Sequence, residues 1–185
     1  MKVILPVVQF TNCTGGDYLR PKAERVRLAQ VVLFIDYQNT YRATRACFHD
    51  HATDPAQFGQ IWPLSIGQVL VNRSPFPREL SEVRVYRGLP SSHRDPKAYG
   101  AARRQNAAWT RDPEVHVISR PIRYPPGYPT THAIGQKPTE KGIDVSLAVD
   151  FVTLAVQGKY DIGILMSLDT DLIPALEFVH NLGQA

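Results

Sequence analysis

Four aspartates in this 185-residue sequence stand where they could do chemistry together: Asp36, Asp144, Asp169 and Asp171. Asp36 closes the apolar run Val31-Val32-Leu33-Phe34-Ile35. Asp169 and Asp171 come shortly after a second apolar run that ends at Met166, and Asp144 lies in the first turn of the amphipathic stretch before that run. Carboxylates crowded without compensation repel, and burial raises their pKa. A divalent cation removes that cost, and Mg2+ and Mn2+ prefer oxygen ligands, Mg2+ keeping several of its waters. An ion held this way would polarise a phosphate oxygen and generate hydroxide for in-line attack.

Each residue also has a plain structural reading. Asp36 would start a turn after a strand, Asp144 would favour the positive end of a helix dipole, and Asp169 would cap a helix with Thr170 and Asp171 in its first turn. Taken singly, these readings prevail. What favours a site is that all four fall at one end of a sheet, and spacing alone leaves both readings open.

The elements that must position them follow from hydrophobic period. Val31–Ile35 is continuous and β-rich, as expected of a strand buried on both faces. Further strands are expected over Glu82–Tyr86, Val115–Ser119 and Asp161–Met166. Helices are expected over Asn39–Phe48, Leu64–Val71, Asp95–Trp109, Ile143–Gln157 and Leu172–Asn181. Asp95-Pro96 serves as cap and first-turn proline of the third, and Gly183 closes the last. Ile143, Leu147, Phe151 and Leu154 share one stripe of the fourth helix. The stretch from 120 to 137, rich in Pro, Gly and Tyr, reads as a surface loop. Strands alternating with helices predict an α/β fold, a parallel sheet covered on both faces, with its crevice outside the carboxyl ends of the strands. If the first and fourth strands are neighbours, the four carboxylates converge. Residues 1–28 lack a clear period, contain a Thr-Gly-Gly break, and read as an N-terminal extension to a domain over 29–185.

The net charge is +4, but its distribution says more. From Arg84 to Tyr128 nine Lys/Arg face three Asp/Glu, whereas from Lys137 to Glu177 seven acidic residues face three basic ones. A basic middle beside an acidic end suits a protein that attracts a polyanion and holds a cation. Arg103 and Arg104 are interleaved with Tyr99 and Trp109, and Arg120, Arg123, Tyr124 and Tyr128 follow. Cations contact phosphates and aromatics stack on unpaired bases, although such a helix is more often a solvated face. His49-Asp50-His51 reads as a polar loop, since no further ligands accompany it. No stretch is long and apolar enough to span a bilayer. Two cysteines, Cys13 and Cys47, build no disulfide framework, and a reducing cytoplasm is the simplest setting.

Three segments carry a resemblance. Phe34-Ile35-Asp36-Tyr37-Gln38-Asn39 resembles the opening "FID-x-x-N" motif of the NYN domain family, in the PIN-like ribonuclease superfamily. Glu140–Asp150, reading EKGIDVSLAVD, is similar to the family's "K-G-x-D-V-x-L-A-x-D" helix. Tyr160–Pro174 is similar to its "D-x-x-x-L-x-S-x-D-x-D-x-x-P" strand and turn, with Leu168 in place of a common glycine. The resemblance spans Val31 to Gly183. It implies a PIN-like three-layer α/β/α fold and divalent-metal-dependent cleavage of RNA. Its metal-holding aspartates map onto Asp36, Asp144, Asp169 and Asp171, with Asn39 and Ser167 bracing the site. Asp150 matches a recurrent acidic position, but it lies about 240° around a helix from Asp144, away from the same metal. Lys141, inside a matched motif, would reach a phosphate.

The expectation is therefore a ribonuclease using Mg2+ or Mn2+, with a metal-activated water as nucleophile because no Ser, Cys or His is placed to serve. The alternatives are a non-catalytic RNA-binding or assembly module on the same fold, and a metal-dependent phosphohydrolase of small substrates, against which the basic segment argues. In the family a further strand follows the last helix. Its absence here predicts that the fourth strand is an open edge, either because the sequence is a fragment of a longer protein or because a homo-oligomer or partner chain completes the sheet.

Overall fold

The apolar runs become strands because their side chains can be buried on two faces at once. The computed structural model describes residues 7–9, 27–49, 53–55, 57–130 and 136–183. Its elements are β1 (Val7–Gln9), β2 (Ala29–Asp36), α1 (Tyr37–Phe48), α2 (Pro63–Asn72), β3 (Arg78–Leu89), α3 (Pro96–Trp109), β4 (Val115–Pro121), α4 (Ile143–Val156), β5 (Ile162–Met166), a 3-10 turn (Thr170–Leu172) and α5 (Ile173–Leu182). Cys13, the Thr-Gly-Gly break, Asp50 and His51 lie outside the described residues.

The strand order is β1-β5-β2-β3-β4. β5, β2, β3 and β4 run parallel. The chain builds outward from β2 to β3 and β4, then returns to place β5 on the other side of β2. That reversal is the switch point at which a crevice opens above the carboxyl ends of β2 and β5. The class is α/β with a parallel sheet flanked by helices, as the alternation of elements predicts.

The pleat of β2 divides the core. Val31, Leu33 and Ile35 pack with Tyr37, Val83, Val85 and Trp109 on the face covered by α1, α2 and α3. Val32 and Phe34 pack with Tyr86, Leu147, Phe151, Leu165 and Leu172 on the face covered by α4 and α5. Side chains that alternate across a strand serve two layers in this way, each fully buried one contributing about 1.5–3 kcal/mol.

Two expectations are corrected. β5 is not an open edge, because Val7–Gln9 pairs with it antiparallel in the register Val7↔Ile164, Val8↔Gly163, Gln9↔Ile162. Three residues are too few for a period to show in sequence, whereas an unpaired row of backbone N–H and C=O groups along β5 offers any extended segment a ladder. Trp109 cannot stack on a base, because it is 1% exposed and belongs to the core. At the element ends, β3 runs well beyond Glu82–Tyr86 in both directions, and α1 begins two residues before Asn39, directly on Asp36. Gly183 does cap α5, but in a right-handed conformation with φ of −77°.

Candidate active site

Asp36 is the last residue of β2 and the N-cap of α1, so the sheet fixes its backbone and the helix engages its side chain. It is 4% exposed. Oδ1 accepts from the Asn39 backbone N–H at 3.2 Å, and Oδ2 accepts from Asn39 Nδ2 at 2.6 Å and from Ser167 Oγ at 3.0 Å. All three donors are neutral, and among the described residues no cation lies within ion-pair distance of Asp36. Ser167 Oγ also accepts from the Asp169 backbone N–H at 3.1 Å. One hydroxyl thus ties the end of β2 to the turn after β5, across the switch point.

Asp144 enters from α4. The chain reaches that helix through Gly142, whose φ of +71° is a left-handed conformation that a side chain would strain. That turn sets Asp144 in the first turn of α4. Glu140 comes in just before it. Backbone hydrogen bonds of 2.9 Å in both directions between Arg123 and Thr139 hold the returning loop beside the sheet, and the Gly88 backbone N–H donates to Glu140 Oε1 at 2.8 Å. Gly88 allows this approach: a Cβ there would overlap the Glu140 carboxylate and Ile122.

These residues meet. Asp36, Glu140, Asp144 and Asp169 line one cavity of about 190 Å³, together with Gln38, Asn39, Arg42 and Ile143. Asp171 does not line it. Its side chain is exposed on the 3-10 turn, where its backbone N–H donates to Asp169 Oδ1 at 3.0 Å. Asp150 is elsewhere, accepting from the Tyr86 hydroxyl at 2.7 Å and from Arg84 Nη2 at 3.0 Å, so it fastens α4 to β3. Lys141, Arg103 and Arg104 are exposed, and Arg104 lines a cavity beside the site.

Glu140, Gln38 and Arg42 went unnoticed as site residues in the sequence. Their signals were present: Glu140 opens the segment containing Lys141, Gly142 and Asp144, and Gln38 and Arg42 are four apart, hence on one face of α1. Gln38 and Glu140 line three adjoining cavities, the acidic one and two more of about 360 and 370 Å³. The acidic cleft is thus the end of a longer groove.

A family model for the NYN domain matches residues 30–184. The chain belongs to the NYN domain family. No curated protein and no solved structure shows significant similarity to it. NYN domains are PIN-like and generally nucleases that use divalent metals, and the donor set of this one can be tested against such an ion. The cavity offers carboxylate oxygens, with Arg42 as the one cationic side chain lining it, which suits a hard, oxygen-seeking cation. Among the described residues no three His, Cys, Asp or Glu side chains stand close enough together to hold an ion directly. The oxygen donors of the NYN site suit a divalent cation in kind, without forming a three-ligand set among the described residues. No helix among the described residues is long and apolar enough to cross a membrane.

Burial raises the Glu140 carboxyl above the ordinary glutamate value of 4.5; the Gly88 N–H acts against this and the neighbouring Asp36 adds to it. A carboxyl that binds its proton more tightly folded than unfolded stabilises the fold at low pH, and that contribution is lost as pH rises from the unfolded value through the folded one. In EDTA, the melting temperature of the wild type should fall as pH rises just above the glutamate range, and Glu140→Gln should flatten the fall. Identical pH dependences in the two proteins would show that Glu140 does not titrate abnormally.

Proposed function

We propose that this NYN domain is a divalent-metal-dependent ribonuclease that hydrolyses RNA phosphodiester bonds. The observation that carries the reading is the convergence of Asp36, Glu140, Asp144 and Asp169 on one cleft at the switch point, open to a groove that Arg42 and Arg104 also line. When bound, Mg2+ or Mn2+ supplies Lewis acidity, drawing charge from a phosphate oxygen and making water a stronger acid. Asp36, Asp144 and Asp169 hold the cation directly or through water, with Asp171 close by on the turn. Asn39 and Ser167 keep Asp36 oriented. Arg42 and Lys141 contact phosphates flanking the scissile one. Glu140, with its raised pKa, is suited to take or return a proton near the reacting phosphate.

The decisive assay incubates purified protein with a mixed RNA pool and Mn2+, Mg2+ or EDTA. Cleavage should appear with either metal and vanish with EDTA; RNA left intact under all three conditions would reject the nuclease reading. A second reading, a non-catalytic RNA-binding or assembly module, draws on the absence of a preformed three-ligand set among the described residues. The same assay decides between the two, since that module would bind the pool without cutting it.

The basic helix α3 gives a separate expectation. Each phosphate contact on a single strand adds a slope of roughly −0.7 in log K against log salt. Replacing Arg103 and Arg104 with Ala should weaken RNA binding and flatten this slope, with the larger share from Arg104, which lines the groove. An unchanged salt slope in the double variant would make the helix merely a solvated face.

A further inference from the structure

The groove continues away from the carboxylates into a cavity of about 370 Å³ between α1, α3 and the end of β3, a volume ordinary for a small-molecule site. Its chemistry is unlike that of the acidic cleft. Tyr37 and Tyr41 are stacked with ring centroids 6.1 Å apart. Arg87, 9% exposed, lies with its Cζ 4.5 Å from the Tyr37 ring centroid. Its Nη1 donates only to neutral amides, Gln105 Oε1 at 2.6 Å and Asn106 Oδ1 at 3.0 Å. Among the described residues Arg87 Nε has no hydrogen-bond partner and no carboxylate lies within ion-pair distance. Glu140, which lines the same cavity, gives Arg87 a favourable charge but no ion pair, so the buried Nε still lacks an acceptor, which an occupant rich in acceptors would supply. The Gln38 side-chain amide, shared with the acidic cleft, is also unengaged among the described residues.

Resting on the nuclease reading above, we propose that this cavity is a subsite for one unpaired nucleotide of the bound RNA. The base enters against Tyr41, the partly exposed ring of the pair, presents its acceptors toward Arg87 and Gln38, and leaves its phosphate to Arg104 at the rim. Two features favour a nucleotide over a free anion. The lining joins aromatic and apolar side chains to amides, as base recognition requires. The cavity also adjoins the acidic cleft through Gln38 and Glu140, so a nucleotide seated there can be continuous with a phosphate over the carboxylates.

Ala101 lines the cavity and is exposed on α3, so Ala101→Trp should fill the space without altering charge or core. Binding of a short labelled single-stranded RNA and of an abasic strand of equal length is measured in EDTA by fluorescence anisotropy, with thermal melting to check folding. Base stacking predicts that the wild type binds the abasic strand about tenfold more weakly than the RNA. Ala101→Trp should lose about the same factor toward RNA and little toward the abasic strand. An Arg87→Gln variant, if folded, should behave likewise. Equal losses toward both strands, or no loss toward RNA, would overturn the subsite. Because binding is read in EDTA and cleavage in the metal assay, failure of the subsite and failure of the nuclease reading are told apart.

Discussion

Asp36→Asn is expected to reduce metal-dependent RNA cleavage to background while leaving the fold intact. Asparagine caps helices as well as aspartate does, and its Oδ1 can still accept from the Asn39 N–H. The lost acceptor facing Asn39 Nδ2 and Ser167 costs about 1 kcal/mol, against which stands relief of the repulsion between Asp36 and Glu140. The melting temperature in EDTA should thus stay near that of the wild type. The rise in melting temperature on adding Mg2+ should shrink, because stabilisation by a ligand follows its affinity. Asp150→Ala supplies the contrast. It removes the acceptor of the buried Tyr86 hydroxyl and of Arg84, so it should cost about 1–3 kcal/mol of stability and retain cleavage at low temperature. Full nuclease activity in rigorously purified Asp36→Asn protein, or loss of activity in folded Asp150→Ala, would remove the proposed division of labour between the two aspartates.

Phe151→Ala should produce the largest loss of stability. The ring is fully buried on α4, 5.0 Å from Phe34 at an interplanar angle of 83° and 6.0 Å from Tyr160. Truncation removes the transfer free energy of the ring and leaves a cavity beneath α4, together about 3–5 kcal/mol. In a domain of this size that lowers the melting temperature by roughly 10 °C. The Tyr160 hydroxyl bond to the Phe151 carbonyl, at 2.7 Å, belongs to the backbone and survives. A thermal or urea melt shifted by less than about 1 kcal/mol would mean that the core repacks around the gap.

These two substitutions separate what is local from what is not. The continuous apolar runs of β2 and β5, the helical stripe Ile143-Leu147-Phe151 and the Asp95-Pro96 helix start were legible in the sequence because each rests on a period or a cap within a few residues. So was Asp36 at a strand end, since the run before it stops there. Asp150 could be set apart from Asp144 by helical geometry alone, but its bonds to Arg84 and Tyr86 needed the packing of α4 on β3. The same packing accounts for Arg84, which counted toward a basic segment in the sequence and is engaged with Asp150 and Glu82 in the fold.

The sequence by itself determined the alternation of strands and helices, the two-sided burial of β2 and the family motifs around Asp36, Asp144 and Asp169. These are short-range properties of chain and side-chain type. Only the tertiary structure decided that Asp171 stays exposed beside the cleft, that Glu140 joins it through the Gly88 N–H, and that Trp109 is core. It alone placed β1 on β5. Each of these depends on which distant segments share a sheet edge or a strand end. That choice is made by backbone hydrogen-bond satisfaction and by burial summed over the whole domain, and no window of neighbouring residues contains it.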